Sequence, residues 1–206
     1  MTATRYLYLV RHGEALPDGS GLTERGQIQA IQLSRRLRDI PFSAVQHGPL
    51  ARAAQTAGLI WDQLVKDVQL EVSEAAGDYV PYLPERRELP ADSADVLLSF
   101  LQQATADELE RGSVLGSLAL DCFTGPADGD EERHELVVTH NFLIGWLVGH
   151  AMDAPKWRWL SLNHCNAALT VLKYEPGRPS SVLVYNDMRH LTGELTWTGF
   201  PVRPGI

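Results

Sequence analysis

The chain has 206 residues, of which 44% are hydrophobic and 21% charged, enough apolar material for the core of one domain spanning residues 1–206. Its formal net charge of −8 excludes a broad nucleic-acid surface, which would be basic, yet leaves room for a local arginine cluster in one pocket. No run approaches the ~20 apolar residues of a membrane span, so no membrane partner is expected.

Met1 to Arg5 lead into a short apolar run with no small-residue cleavage site, so no signal peptide and a cytoplasmic location are expected. Residues 5–10 are short, rich in β-formers and followed by a glycine-containing turn, which predicts a buried strand. Thr23 suits the cap of a helix running to about residue 38, with Ile28, Ile31, Leu33 and Leu37 as its apolar face. Arg35, Arg36 and Arg38 cluster near its end, where cations suit the dipole. Residues 43–47 form a second predicted strand, and a helix begins near Pro49 with Leu50, Ala53, Ala57, Ile60, Trp61 and Leu64 as its inner stripe. Residues 68–72 read as a third strand. Residues 77–90 read as a loop over one end, and helical segments fill much of 92–123, so a loop and helical insertion occupies about 77–131. The polar stretch 125–133 is a solvated loop. Residues 135–139 form a fourth strand, running into His140 and an apolar helix through Met152, and 167–174 and 181–185 are closing strands. Strands alternating with helices predict an α/β layer fold with a largely parallel sheet.

Arg11-His12-Gly13-Glu14 stands directly after the first strand, and ligands of open α/β sheets bind just beyond the carboxyl ends of strands. A nucleophilic histidine there must be neutral on its attacking nitrogen, with its other N–H held by an acceptor. Arg52 falls in the first turn of the second predicted helix, where backbone N–H groups, the dipole and a two-pronged guanidinium suit a phosphoryl group. His140 again ends an apolar strand. Cys122 and Cys165 make neither a disulfide framework nor a metal-binding spacing. His164 beside Cys165 does not make a nucleophilic pair, because neighbours on a strand point to opposite faces.

Five segments together resemble the histidine phosphatase superfamily, the group that includes phosphoglycerate mutase-like enzymes. They are Arg11-His12-Gly13-Glu14, Leu22-Thr-Glu-Arg-Gly26, Leu50-Ala-Arg52-Ala-Ala-Gln-Thr-Ala57, Val137-Val-Thr-His140 and Asn186-Asp187-Met-Arg-His190-Leu191. The resemblance covers nearly the whole chain. It implies a three-layer α/β sandwich of the phosphoglycerate mutase-like kind, with helices on both faces of a largely parallel central sheet. It also implies that His12 attacks phosphorus while Arg11, Arg52 and His140 hold the phosphoryl oxygens. An acidic proton donor is implied after the third strand; Glu74 matches that position best, with Asp78 as its main rival and Glu71 as a weaker one. The chain departs from the family where His47-Gly48-Pro49-Leu50 replaces the common Ser-Pro-Leu, and where Asn141 replaces a common Gly. Ala15-Leu16-Pro17 stands where mutases and fructose bisphosphatases carry Ser and Asn.

The expected reaction is metal-independent hydrolysis of a phosphomonoester through a phosphohistidine on His12, with no cofactor. The expected partner is a phosphorylated small molecule or a phosphoprotein. Three alternatives stand beside it: a protein phosphohistidine phosphatase, a mutase-type phosphotransferase, and a non-catalytic phospho-ligand-binding protein. Retention of both histidines and both arginines argues against the last.

Overall fold

Alternation along the strand Arg5–Arg11 (β1) sends Leu7 and Leu9 to one side and Val10 to the other, and the molecule is layered on that division. The computed structural model describes residues 1–65 and 68–199. Its central sheet adds Phe42–His47 (β2), Leu70–Val72 (β3), Arg133–Thr139 (β4), Leu169–Tyr174 (β5) and Ser181–Asp187 (β6). The spatial order is β3-β2-β4-β1-β5-β6. The pairs β3/β2, β2/β4 and β4/β1 are parallel, while β1/β5 and β5/β6 are antiparallel. The sheet is therefore mixed, with β5 alone running against the other five.

Five α-helices accompany it among the described residues: Glu24–Leu37 (α1), Ala51–Trp61 (α2), Ala94–Leu101 (α3), Ala106–Phe123 (α4) and Asn141–Ala151 (α5). Leu33 and Leu37 of α1 and Ala53, Ala57 and Ile60 of α2 pack on one face, against Val10, Leu136 and Val138. Leu143, Ile144 and Leu147 of α5 and Phe123 of α4 pack on the other, against Leu7, Leu9 and Val137. This is the expected three-layer α/β arrangement. Among the described residues, no helix is long and apolar enough to cross a membrane.

Local expectations differ at several points. The buried face of α1 runs through Gly26, Gln29, Ala30, Leu33, Ser34 and Leu37, whereas Ile28 and Ile31 are 47% and 37% exposed. The helix is rotated from its most apolar stripe because Gln29 is needed inward, where it bonds the loop after β1. At α2, the capping Leu50 is exposed and Trp61 half-buried, although Ala53, Ala57 and Ile60 face inward as expected, as does Leu64 just beyond the helix end. The predicted loop 125–133 contains Ala127–Asp128, which pairs antiparallel with Thr2–Ala3.

The consequence for function lies in direction. β1, β2, β3 and β4 are parallel neighbours, so their carboxyl ends share one edge. That edge receives His12 after β1, Arg52 after β2, Glu74 after β3 and His140 after β4.

Candidate active site

The loop after β1 is held from several sides. His12 N–H donates to Thr139 O at 3.0 Å, and His12 O accepts from Asn166 Nδ2 at 3.0 Å. Gly13 N–H donates to Thr56 Oγ1 at 3.0 Å, and the Thr56 hydroxyl donates to Arg52 O at 2.7 Å. Glu14 N–H donates to Gln29 Oε1 at 2.8 Å. Thr23 caps α1, accepting from Gly26 N at 3.0 Å. A Cβ on Gly13 would stand 2.5 Å from Gly26 O, and one on Gly26 would overlap Glu14 O. The Leu22-Thr-Glu-Arg-Gly26 segment thus seats the His12 loop directly on a helix start.

His12 Nδ1 lies 2.7 Å from Gly13 O. A carbonyl only accepts, so Nδ1 carries the proton and the neutral ring keeps its lone pair on Nε2. Burial first, then neighbouring His140, pushes the His12 pKa from 6.5 down to about 3. His140 is pushed down to about 3 by burial, then by Arg52 and Arg11. The two rings stand 5.1 Å apart between centroids. Among the described residues, neither ring nitrogen of His140 nor Arg11 Nε finds a hydrogen-bond partner. Buried polar atoms without partners are uncommon and costly, and a ligand with several oxygens can supply what these lack.

Arg52 is the second residue of α2, which starts without a side-chain cap. Its Nη2 donates to Asp78 Oδ2 at 2.7 Å. The same carboxylate oxygen is 3.6 Å from His140 Nδ1, too far for a hydrogen bond. With His140 neutral, that contact is not an ion pair. Arg11 Nη1 donates to the carbonyls of His164 at 2.5 Å and Gly199 at 3.1 Å. Burial lowers the Arg11 pKa, with Asp78 the largest opposing influence.

Arg11, His12, Arg52 and His140 are therefore brought together at one edge. Glu74 stands further out. It opens the short 3-10 turn Glu74–Ala76, is exposed, and meets Arg111 Nη2 at 3.2 Å. Glu74 and Asp78 both line a cavity of about 540 Å³. Glu71 lies within β3 opposite Gln46, exposed, and the structure does not bring it to the four. Glu14 bonds Thr23 Oγ1 and Arg25, and so serves the loop's own structure. Asn141 accepts from His164 N at 2.7 Å and donates to Asn163 at 3.2 Å, tying the start of α5 to the segment that holds Arg11. Asp187 and His190 grip Arg36 rather than any of the four.

Sequence reading passed over Thr56, Gln29 and Asn166 as positioning residues. Thr56 stood in view as the polar member of an alanine-rich helical stripe. Asn166 offered no local pattern, since its contact spans the sequence to His12.

A family model described as the histidine phosphatase superfamily, branch 1, matches residues 7–187. The serine/threonine-protein phosphatase Pgam5, mitochondrial, of Caenorhabditis briggsae is 28% identical over 198 residues, covering 93% of this chain and 66% of that one. The chain spans just under two thirds of the length of the nematode and fly Pgam5 relatives it matches, 64% to 66%. The probable phosphoglycerate mutase GpmB of Erwinia tasmaniensis is 28% identical over 214 residues, covering 90% of this chain and 94% of that one. A solved putative alpha-ribazole-5'-P phosphatase from Escherichia coli has a TM-score of 0.65 at 20% identity, over 89% of this chain and 98% of that one, and shares its fold. With the model matched from β1 to the end of β6, this chain belongs to the histidine phosphatase superfamily, branch 1.

Proposed function

We propose that this protein hydrolyses a phosphomonoester in two steps, through a phosphohistidine on His12 and without a metal. The observation that carries the reading is the His12 ring, neutral and tethered by Nδ1 to Gly13 O, so that the Nε2 lone pair is free to attack. In the first step Nε2 bonds to phosphorus as the ester P–O bond breaks, and Glu74 protonates the departing oxygen. In the second, Glu74 takes a proton from water as its oxygen bonds to phosphorus. The N–P bond breaks, and Nε2 regains its lone pair. Arg11, Arg52 and His140 hold the phosphoryl oxygens, and the two arginines offset the charge that a metal offsets elsewhere. Arg52 Nη2 donates to Asp78 Oδ2, so an arriving phosphoryl group must compete with that carboxylate for the guanidinium. Asp78 is a place-holder in this reading, and Glu74, on the cavity wall, is the acid.

The decisive experiment is acid-quenched turnover of wild type and His12→Ala. Wild type should yield an acid-labile, base-stable phosphoenzyme, and the variant should lose both it and turnover by many orders of magnitude, as when one member of a catalytic unit is removed. Substantial activity in His12→Ala would sink the mechanism.

A further inference from the structure

The four clustered residues account for the phosphoryl half of a monoester, and the alcohol half needs a place of its own. The cavity that Asp78 shares with the phosphate site has about 540 Å³, within the range of small-molecule pockets. Leu50, Tyr79, Phe100, Leu115 and Phe142 give it an apolar lining. Phe100 and Phe142 meet edge to face at 5.8 Å. Leu50 and Phe100 remain 37% and 42% exposed, large apolar side chains that the protein's own core does not cover.

These walls are fixed in place. The Tyr79 hydroxyl reaches Ala75 O at 2.6 Å and Leu115 O at 3.1 Å, joining the Glu74 turn to α4. Gly112 and Gly116 of α4 lie so close to the backbone of Val80 and Pro81 that neither position has room for a Cβ. Charge selects further. Among the described residues, the lining carries the carboxylates Glu74, Asp78 and Glu108 against a single guanidinium, Arg111, which Glu74 already holds. Asp78 is itself paired with Arg52, so an anionic group entering here meets Glu108 and no cation that a carboxylate does not already engage.

We infer that this cavity receives the leaving group, and that the substrate is the phosphomonoester of an uncharged, largely apolar alcohol or phenol rather than of a sugar or hydroxy acid. The inference rests on the hydrolase reading above. Both are tested with 2-phenylethyl phosphate, glycerol 3-phosphate and 3-phosphoglycerate, which all release a primary alkoxide and so differ little in intrinsic reactivity. Covering a phenyl ring at the usual value per unit of apolar area predicts kcat/KM roughly 10- to 100-fold higher for the phenylethyl ester than for glycerol 3-phosphate. 3-Phosphoglycerate should be the poorest of the three. Phe100→Ala and Leu50→Ala should each narrow the phenylethyl-to-glycerol ratio by about 5- to 10-fold, chiefly through KM, in proportion to the apolar area removed. Val114→Ala, on an exposed part of α4 outside the lining, should leave the ratio as in wild type. Equal or reversed rates among the three esters would overturn the inference while leaving the hydrolase intact, as would an unchanged ratio in both cavity variants. If wild type turns over none of them, nor p-nitrophenyl phosphate, the hydrolase reading falls and takes this one with it.

Discussion

His12 and His47 make the same local contact, each with Nδ1 2.7 Å from the carbonyl of the glycine that follows. Local sequence therefore does not separate the proposed nucleophile from a strand-end histidine. The surroundings differ: His12 faces His140 and feels both Arg11 and Arg52. Arg52 has the sharper test. Lysine keeps the charge but loses the planar fork, so Arg52→Lys should lower kcat/KM by roughly 10²–10³-fold, as for loss of a preorganised oxyanion donor. It should also weaken inhibition by vanadate. Wild-type values for both would remove Arg52 from the pocket. The two carboxylates separate by leaving group. Glu74→Gln should slow hydrolysis of alkyl phosphates by the roughly 10²–10⁴-fold typical of general acid catalysis. It should barely slow phosphoenzyme formation from p-nitrophenyl phosphate, whose phenolate leaves as an anion. The phosphoenzyme should then accumulate, because the same residue activates water. Asp78→Asn should instead tighten phosphate inhibition, since it removes the charge that competes for Arg52, and should show no dependence on leaving group. An exchange of these two phenotypes would make Asp78 the acid.

At the scale of elements, the parallel half of the sheet was legible because each of its strands is punctuated by a turn or helix and ends in chemistry. β5 and β6 are separated by residues 175–180, too few for a crossover, so their antiparallel pairing was also within reach. The direction of β5 against β1 was not, since that pairing joins segments more than 150 residues apart. The α1 stripe was misjudged because hydropathy ranks Ile28 above Gln29, whereas the fold ranks a hydrogen bond to the loop above a methyl group. α2 shows the same economy. It presents Arg52 at its start and, one turn later, Thr56 to Gly13 N–H. Thr56→Val keeps the shape but leaves a buried N–H unpaired, which should cost about 1–3 kcal/mol. The loop that carries His12 should loosen with it, so kcat should fall while the phosphate inhibition constant changes less. Thermal unfolding with parallel kinetics checks this; unchanged values in both would mean that Gly13 N–H has another partner.

For the whole molecule, the acid side of the stability curve carries the signature of this site. His12, His140 and His164 are pushed from 6.5 down to about 3, and His190 to about 4, in each case first by burial. A histidine whose folded pKa lies below its unfolded one binds more protons unfolded. Its contribution to stability is complete above about pH 6.5 and is lost as pH falls toward the folded value. Asp187, held low first by Arg189 and then, against burial, by Arg36, acts in the same direction, but its window opens only near its ordinary value of 3.8. A decline that begins at pH 6.5 therefore belongs to the histidines. In phosphate-free buffer at constant ionic strength, Tm should be level from pH 8 to about 7. It should then fall continuously to pH 5, with proton uptake on unfolding. Omitting phosphate matters, because an anion bound only to the folded state would raise Tm by mass action. His190 is not one of the four clustered residues: its Nε2 donates to Ala167 O at 2.9 Å, its Nδ1 faces Arg36 at 3.3 Å, and Ala167 N–H in turn donates to the carbonyls of Arg11 and His12. His190→Asn should reduce the slope of Tm against pH as well as its level, whereas loss of packing alone would lower the level and keep the slope. Catalysis should follow a different curve: His12 stays neutral well below pH 6.5, so the acid limb of kcat/KM should track the substrate's second phosphate ionisation, near pH 6. A Tm that stays constant from pH 8 to 5 would mean that these histidines titrate normally in the folded state, and the neutral Nε2 on which the mechanism depends would lose its physical basis.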